Sequence, residues 1–399
     1  MTTLSNAGED DDEYELALEA RVTGARSTYR FQTADGVHSA RSFRDADLLL
    51  LEALWDVEHG LGDLCCLEAN YGTVGVVLAE TADSVEMIES GARAAALCRR
   101  NARANDVEAS VSLVAGLATL FRSHPHTHSR SHSRSFDTVV YAPKPYTPLS
   151  IGSQRLVDAL SVLRPGGRFY LAASKRCGLS RYETLLAEIA ASVELVAKRD
   201  GVHLLEAVRP ETVDRLTYVT PRTLTPTVDG TSLSLVTVPG LFAASGLDDG
   251  TRLLLETCAI GDGERVLDLC CGYGPIGTYA AKTADCEVWL ADDDRIATRC
   301  AERSLRDSGV DGTVVTADCL AGVLDRSFDR VLCNPPTHAG SGVLSDLFAG
   351  IARVLEPEGR LTLVHHRDLD LGGYLTDVGT PTTRRVGETH VVIDVTPDR

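Results

Sequence analysis

Lysine is nearly missing from this 399-residue chain: only Lys144, Lys175, Lys198 and Lys282 stand among 39 basic residues. Acidic residues number 57, and the formal net charge is −18. A surface of that sign excludes generic affinity for nucleic acid in dilute buffer, while local groups of arginine stay free to act. Such an acidic, lysine-poor, arginine-retaining composition is what a high-salt cytoplasm favours, because salt screens self-repulsion. No apolar run reaches the roughly 18 residues a membrane helix needs, and the first residues lack a basic-then-apolar signal. A cytoplasmic protein is therefore expected. There are eleven cysteines, but no C-x-x-C spacing occurs, and Cys65-Cys66 and Cys270-Cys271 are adjacent pairs. That excludes a zinc or disulfide framework and points to buried, reduced thiols with no metal.

The length suits two domains, and 44% hydrophobic residues supply full cores. The chain is organised around residues 266 to 336. Val266-Leu267-Asp268-Leu269 reads as a buried strand running into a loop in which Gly272, Gly274 and Gly277 match G-x-G-x-x-G. Such a loop lets backbone approach a ligand closely at a helix N-terminus, and Pro275 suits the first helical turn. Asp292 ends a second apolar strand twenty residues after Gly272, where a carboxylate can accept hydrogen bonds from ribose hydroxyls. A dinucleotide site would show the same pattern. Asp268 separates the candidates, because a carboxylate at a half-buried strand end suits a cofactor that carries an ammonium group. Asn334-Pro335-Pro336 follows the strand Phe328 to Cys333. Prolines cannot continue a central strand, so Asn334 is expected at its carboxyl end, in the crevice where open α/β sheets bind ligands.

With these motifs, residues 231 to 399 resemble the class I S-adenosylmethionine-dependent methyltransferases that act on exocyclic or amide nitrogens, and most nearly the RsmC-like group that methylates guanine N2 in ribosomal RNA. The lead-in Pro239-Gly240-Leu241-Phe242 and Leu247 to Leu255 is similar to that family's approach to the glycine loop. The resemblance implies a Rossmann-like, mostly parallel seven-stranded sheet with helices on both faces. It implies S-adenosyl-L-methionine bound by Asp268, Gly272, Gly274, Gly277, Asp292, Asp318 and Thr251, with Asp318 placed for an adenine amino group. It implies Asn334, Pro335 and Pro336 as the catalytic motif and ribosomal RNA as partner, in an enzyme expected to be a monomer. One position departs from the family. An aromatic residue usually follows Asn-Pro-Pro, and this chain has Thr337 and then His338, the candidate substrate-binding pair. Adenine N6 and a protein glutamine amide therefore stay open as targets. A dinucleotide-dependent oxidoreductase and a non-catalytic RNA-binding or assembly protein are the readings of other classes.

The N-terminal half repeats the C-terminal half. Tyr71-Gly72-Thr73-Val74-Gly75 lies 202 positions before Tyr273 to Gly277, and Phe136 to Pro143 lies 192 before Phe328 to Pro335. The copies differ where chemistry matters: Cys66 stands for Asp268, Asn70 for Gly272 and Ala142 for Asn334. The expected organisation is a disordered acidic tail at 1–13, a degenerate methyltransferase-like domain at 14–207 that binds or supports substrate, a Thr/Pro-rich linker at 208–230 and a catalytic domain at 231–399. The segment 173–181, with Lys175, Arg176 and Arg181, is similar to a basic stretch of the family. Residues 122–135 carry His124, His126, His128 and His132 among serines and read as a surface loop, where Arg122, Arg130 and Arg134 could reach phosphate.

Overall fold

The computed structural model describes residues 2–6, 13–20, 22, 24–116 and 135–398. It divides into two compact units, Met1–Thr220 and Pro221–Arg399. The histidine-rich stretch lies almost wholly outside the described residues.

The first unit opens with an antiparallel sheet of β1 (Thr2–Asn6), β2 (Glu13–Glu19) and β3 (Thr28–Ala34). The expected disordered tail is corrected at both ends, since Thr2 pairs with Glu19 and β2 begins at Glu13. Along β2, the middle strand, the buried Tyr14, Leu16 and Leu18 alternate with more exposed residues, so one face of the sheet packs on the core. The main sheet comprises β4 (Asp63–Leu67), β5 (Ser84–Glu89), β6 (Ser110–Leu113), β7 (Phe136–Tyr141), β8 (Leu163–Ser174), β9 (Ser192–Arg199) and β10 (Val202–Val208). Their order is β6-β5-β4-β7-β8-β10-β9, parallel except for the hairpin of β9 and β10.

The second unit begins with two short ribbons made from β11 (Arg222–Leu224), β12 (Thr227–Val228), β13 (Thr231–Ser232) and β14 (Leu235–Thr237). The span 208–230 is therefore no simple linker. Val208 ends β10, Val219 is wholly buried, the Tyr218 N–H donates to Gln154 Oε1 at 2.8 Å, and β11 already belongs to the second unit. Thr/Pro-rich composition excludes helix but not short strand pairs. The main sheet then uses β15 (Arg265–Leu269), β16 (Glu287–Asp292), β17 (Thr313–Thr316), β18 (Phe328–Cys333), β19 (Leu355–His366), β20 (Thr380–Val386) and β21 (His390–Thr396). Its order, β17-β16-β15-β18-β19-β21-β20, repeats that of the first unit strand for strand. The fold is thus a tandem of two mostly parallel seven-stranded Rossmann-like sheets.

What positions the site is the point where the strand order turns. From β15 the chain steps out to β16 and β17 on one side, and β18 and β19 lie on the other. The carboxyl ends of β15 and β18 stand side by side in parallel register, Leu269 opposite Cys333. Connections leave such a pair in opposite directions, which opens a crevice above it. The strands hold that crevice rigidly because the sheet is buried on both faces: Leu267, Leu269, Val331, Cys333, Leu361 and Leu363 pack on one side with Leu347 and Ile351 of the helix Ser341–Val354.

Candidate cofactor and substrate crevice

At the end of β15 the backbone turns through three left-handed residues, Cys270, Gly272 and Gly274, with φ of 60°, 55° and 83°. Gly274 caps the helix Pro275–Thr283, whose first residue is the expected proline. The three glycines of the motif do different work. A Cβ on Gly272 would meet nothing within 4 Å, so that residue faces open space. A Cβ on Gly274 would stand 3.0 Å from the side chains of Ala301 and Leu290, and one on Gly277 would stand 2.6 Å from Leu290 Cγ. Gly274 and Gly277 serve close packing of the helix on its neighbours, and only Gly272 borders free volume.

Asp268 is fully buried, deeper than the half-buried strand end its position suggested. The glycine loop folds over it: its Oδ2 accepts the Gly277 N–H at 2.7 Å, and its Oδ1 has no partner among the described residues. Burial pushes the carboxyl up to about 8, against the pull of the Gly277 N–H and with a further push from Asp292. Asp292 closes the loop from the next strand. It accepts the Gly272 N–H at 2.8 Å and the Asp294 N–H at 2.9 Å, and burial raises its pKa despite those bonds. Asp318 lies just past β17, half-buried, after Ala317, whose N–H donates to the Asp292 carbonyl at 3.0 Å.

Asn334 follows β18 directly, half-buried, ahead of buried Pro335 and exposed Pro336. Its Nδ2 donates to the hydroxyl of Thr251 at 3.1 Å. The Pro335 carbonyl accepts the Thr337 N–H at 2.9 Å, which occupies one of its two lone pairs. Thr337 is half-buried, and His338 is exposed at the rim. The structure so groups Asn334, Pro335, Asp268, Gly272 and Asp292 around the ends of β15, β16 and β18. Thr251, also expected among the cofactor ligands, joins this group through its bond to Asn334. The segment before it is tied to the glycine loop, because the Tyr273 hydroxyl lies 3.3 Å from the carbonyls of both Ala243 and Gly246.

A sequence profile described as Methyltransferase small domain matches residues 28–206 and again 232–387. The chain belongs to the methyltransferase small domain family. Both halves match that family, in agreement with the repeated strand order. Among its relatives, the ribosomal RNA small subunit methyltransferase C of Hahella chejuensis is 38% identical over 143 residues, covering 35% of this chain and 42% of the relative. The protein of the same name from Pseudoalteromonas atlantica is 28% identical over 242 residues, covering 59% of this chain and 69% of that one. The matched stretch thus spans under half of the first relative and about two thirds of the second. A solved T. thermophilus 16S rRNA N2 guanine methyltransferase, in complex with AdoMet and guanosine, superposes with a TM-score of 0.76 at 22% identity, over 96% of this chain and 98% of that one. At that identity the likeness establishes the tandem fold.

The first copy of the methyltransferase small domain shows what a crevice without those groups becomes. Cys66 is buried where Asp268 stands in the second copy, and burial pushes its thiol well up. Asn70 keeps a left-handed φ of 61°, but its amide is consumed by His38, donating to the carbonyl at 2.8 Å and accepting the N–H at 3.2 Å. Ala142 replaces Asn334, and its carbonyl accepts a bond from buried Arg44 at 2.9 Å. Arg155 is 2% exposed and pairs with Glu68 at 3.0 Å. Burial pulls the Lys144 ammonium down, but Glu89 and Glu68 more than offset that and leave its pKa raised. The protein's own cations and carboxylates therefore fill the first crevice. Glu89, which ends β5 as Asp292 ends β16 and accepts the Asn70 N–H, is a retained acidic position that sequence comparison missed. An offset of 203, one more than that of the glycine loops, would have found it.

Within these described residues no group of three or more His, Cys, Asp or Glu side chains is arranged to hold a metal. All eleven cysteines are free, six of them buried. None of the described helices is long and apolar enough to cross a membrane.

Proposed function

We propose that the chain is an S-adenosylmethionine-dependent N-methyltransferase acting on the exocyclic N2 of a guanine in small-subunit ribosomal RNA. The observation that carries this reading is the orientation of Asn334 at the crevice: its amide nitrogen is held by Thr251, leaving its carbonyl for a substrate N–H. The names of the relatives support the substrate class. Two features suit the cofactor, the partnerless buried oxygen of Asp268 for an ammonium and the open space at Gly272 for close approach to backbone. Asp292 and Asp318 would take the ribose and adenine ends. When bound, the cofactor supplies an already activated methyl group.

The protein's task is then orientation. An exocyclic amine has its lone pair delocalised into the ring. The Asn334 side-chain carbonyl and the free lone pair of the Pro335 carbonyl accept its two N–H bonds and turn the nitrogen lone pair outward, so rate comes from positioning and electrostatics. Pro335 and Pro336 stiffen the acceptor segment, since their φ angles are fixed. A base in structured RNA must leave its stack to reach the crevice, at a cost of a few kcal/mol. Thr337 and His338 line the approach from the rim. The first unit, with its crevice self-filled, serves as a non-catalytic domain that binds or supports the RNA in a monomeric, cytoplasmic enzyme.

The test is transfer of labelled methyl from S-adenosylmethionine, in high salt, to undermodified ribosomal RNA, followed by digestion to nucleosides. Label in N2-methylguanosine is expected. Label in N6-methyladenosine or in protein overturns the substrate while keeping the reaction class.

A further inference from the structure

We infer that Thr251 is a positioning residue that fixes which end of the Asn334 amide faces the crevice; this rests on the role given to Asn334 above. An asparagine side chain presents two unlike ends on one short rotor, and only the carbonyl end can accept a bond from a substrate amine. Left free, the amide would rotate about its last torsion, which is broad. In this structure the nitrogen end is committed, because Asn334 Nδ2 lies 3.1 Å from Thr251 Oγ1 and donates to it. The carbonyl is the end that remains.

Thr251 is itself held firmly. It is 3% exposed, in the first turn of the helix Asp249–Leu255, and its N–H donates to the Asp248 side chain at 3.0 Å as part of the helix cap. The preceding residue fixes where that turn lies. A Cβ on Gly250 would stand 2.9 Å from His390 Cδ2, so the turn packs closely against the His390 ring of β21. His390 in turn meets the His366 ring edge-on at 5.5 Å. The hydroxyl is thus anchored to the sheet through backbone and packing, and it sets the amide from a fixed point. The segment ahead of Thr251 reaches the glycine loop through Tyr273, so one stretch of chain aligns both the cofactor loop and the acceptor amide.

The experiment compares Thr251→Val, which keeps the branched shape and removes the hydroxyl, with Thr251→Ser, which keeps the hydroxyl. Single-turnover methyl transfer to undermodified small-subunit ribosomal RNA is measured beside cofactor affinity by calorimetry, and both substitutions are repeated in the Asn334→Ala background. The expected result is a transfer rate about tenfold lower for Thr251→Val and within about threefold of the parent for Thr251→Ser. Cofactor Kd stays within about twofold, and Thr251→Val has no further effect once Asn334 is gone, because residues acting as one unit are not additive. A weakened cofactor Kd with the rate per bound complex intact would make Thr251 a cofactor contact and overturn the inference. So would an unchanged rate, or a full further loss in the Asn334→Ala background. A fully active Asn334→Ala enzyme removes the underlying reading, which the Thr251 result alone cannot do.

Discussion

Asp268→Asn isolates the cost of burying a carboxyl under the glycine loop. The folded chain holds this group at about 8, and its ordinary value is 3.8. Between those values the folded state keeps a proton that the unfolded chain has released. The folded state binds more protons there, so stability is greatest at the acid end and is lost as pH rises through 8. From pH 6 to pH 9 the loss attached to this one group is ~2–3 kcal/mol at about 1.4 kcal/mol per unit. For a unit of this size that corresponds to roughly 5–10 °C in Tm. The asparagine keeps an acceptor for the Gly277 N–H and removes the titration. Differential scanning calorimetry of both proteins at pH 6 and pH 9, without cofactor, should show the parent losing that much more than the variant in the transition of residues 221–399. Saturating S-adenosylmethionine should flatten the parent's extra loss, since an ammonium beside the free oxygen stabilises the carboxylate. Equal pH dependence in the two proteins, within about 0.5 kcal/mol, would refute the reasoning.

Two further outcomes follow from the rest of the chain. Arg155→Leu should destabilise the first unit by roughly 3–5 kcal/mol in urea unfolding, because it removes the cation bonded to buried Glu68 and leaves only the attraction of Lys144; a change below about 1 kcal/mol would mean that Lys144 or solvent takes over the pairing. Raising KCl from 0.1 M to 2 M should raise Tm by more than about 4 °C, roughly 1 kcal/mol, by screening a net charge of −18, and a Tm indifferent to salt would overturn the high-salt reading of the composition.

The fold was legible because its signals are local and repeated. Apolar runs end in the glycine loop and in Asn-Pro-Pro at matching offsets, and the two sheets share one strand order. Asp268 was placed on the correct strand, but its depth was not readable, since burial depends on how Cys270 to Gly277 fold back over it. Cys270 takes a left-handed φ of 60° where a glycine would be expected from conformation alone, so composition gave no sign of that turn. The bond between Asn334 and Thr251 joins positions 83 apart, beyond any spacing argument. The strands within the stretches read as tail and linker were hidden for a simpler reason. Composition without helix signals still leaves short strand pairs open, and β1, β11 and β12 need only a neighbouring strand edge. The filling of the first crevice by Arg155 and Lys144 was also hidden, because helix and loop residues reach it from separate parts of the sequence.

The most direct test of the central claim is methyl transfer by Asn334→Ala, with cofactor binding measured on the same preparation. The account predicts transfer to ribosomal RNA reduced by at least about a hundredfold, with S-adenosylmethionine Kd unchanged within about twofold. Full transfer by Asn334→Ala would contradict it.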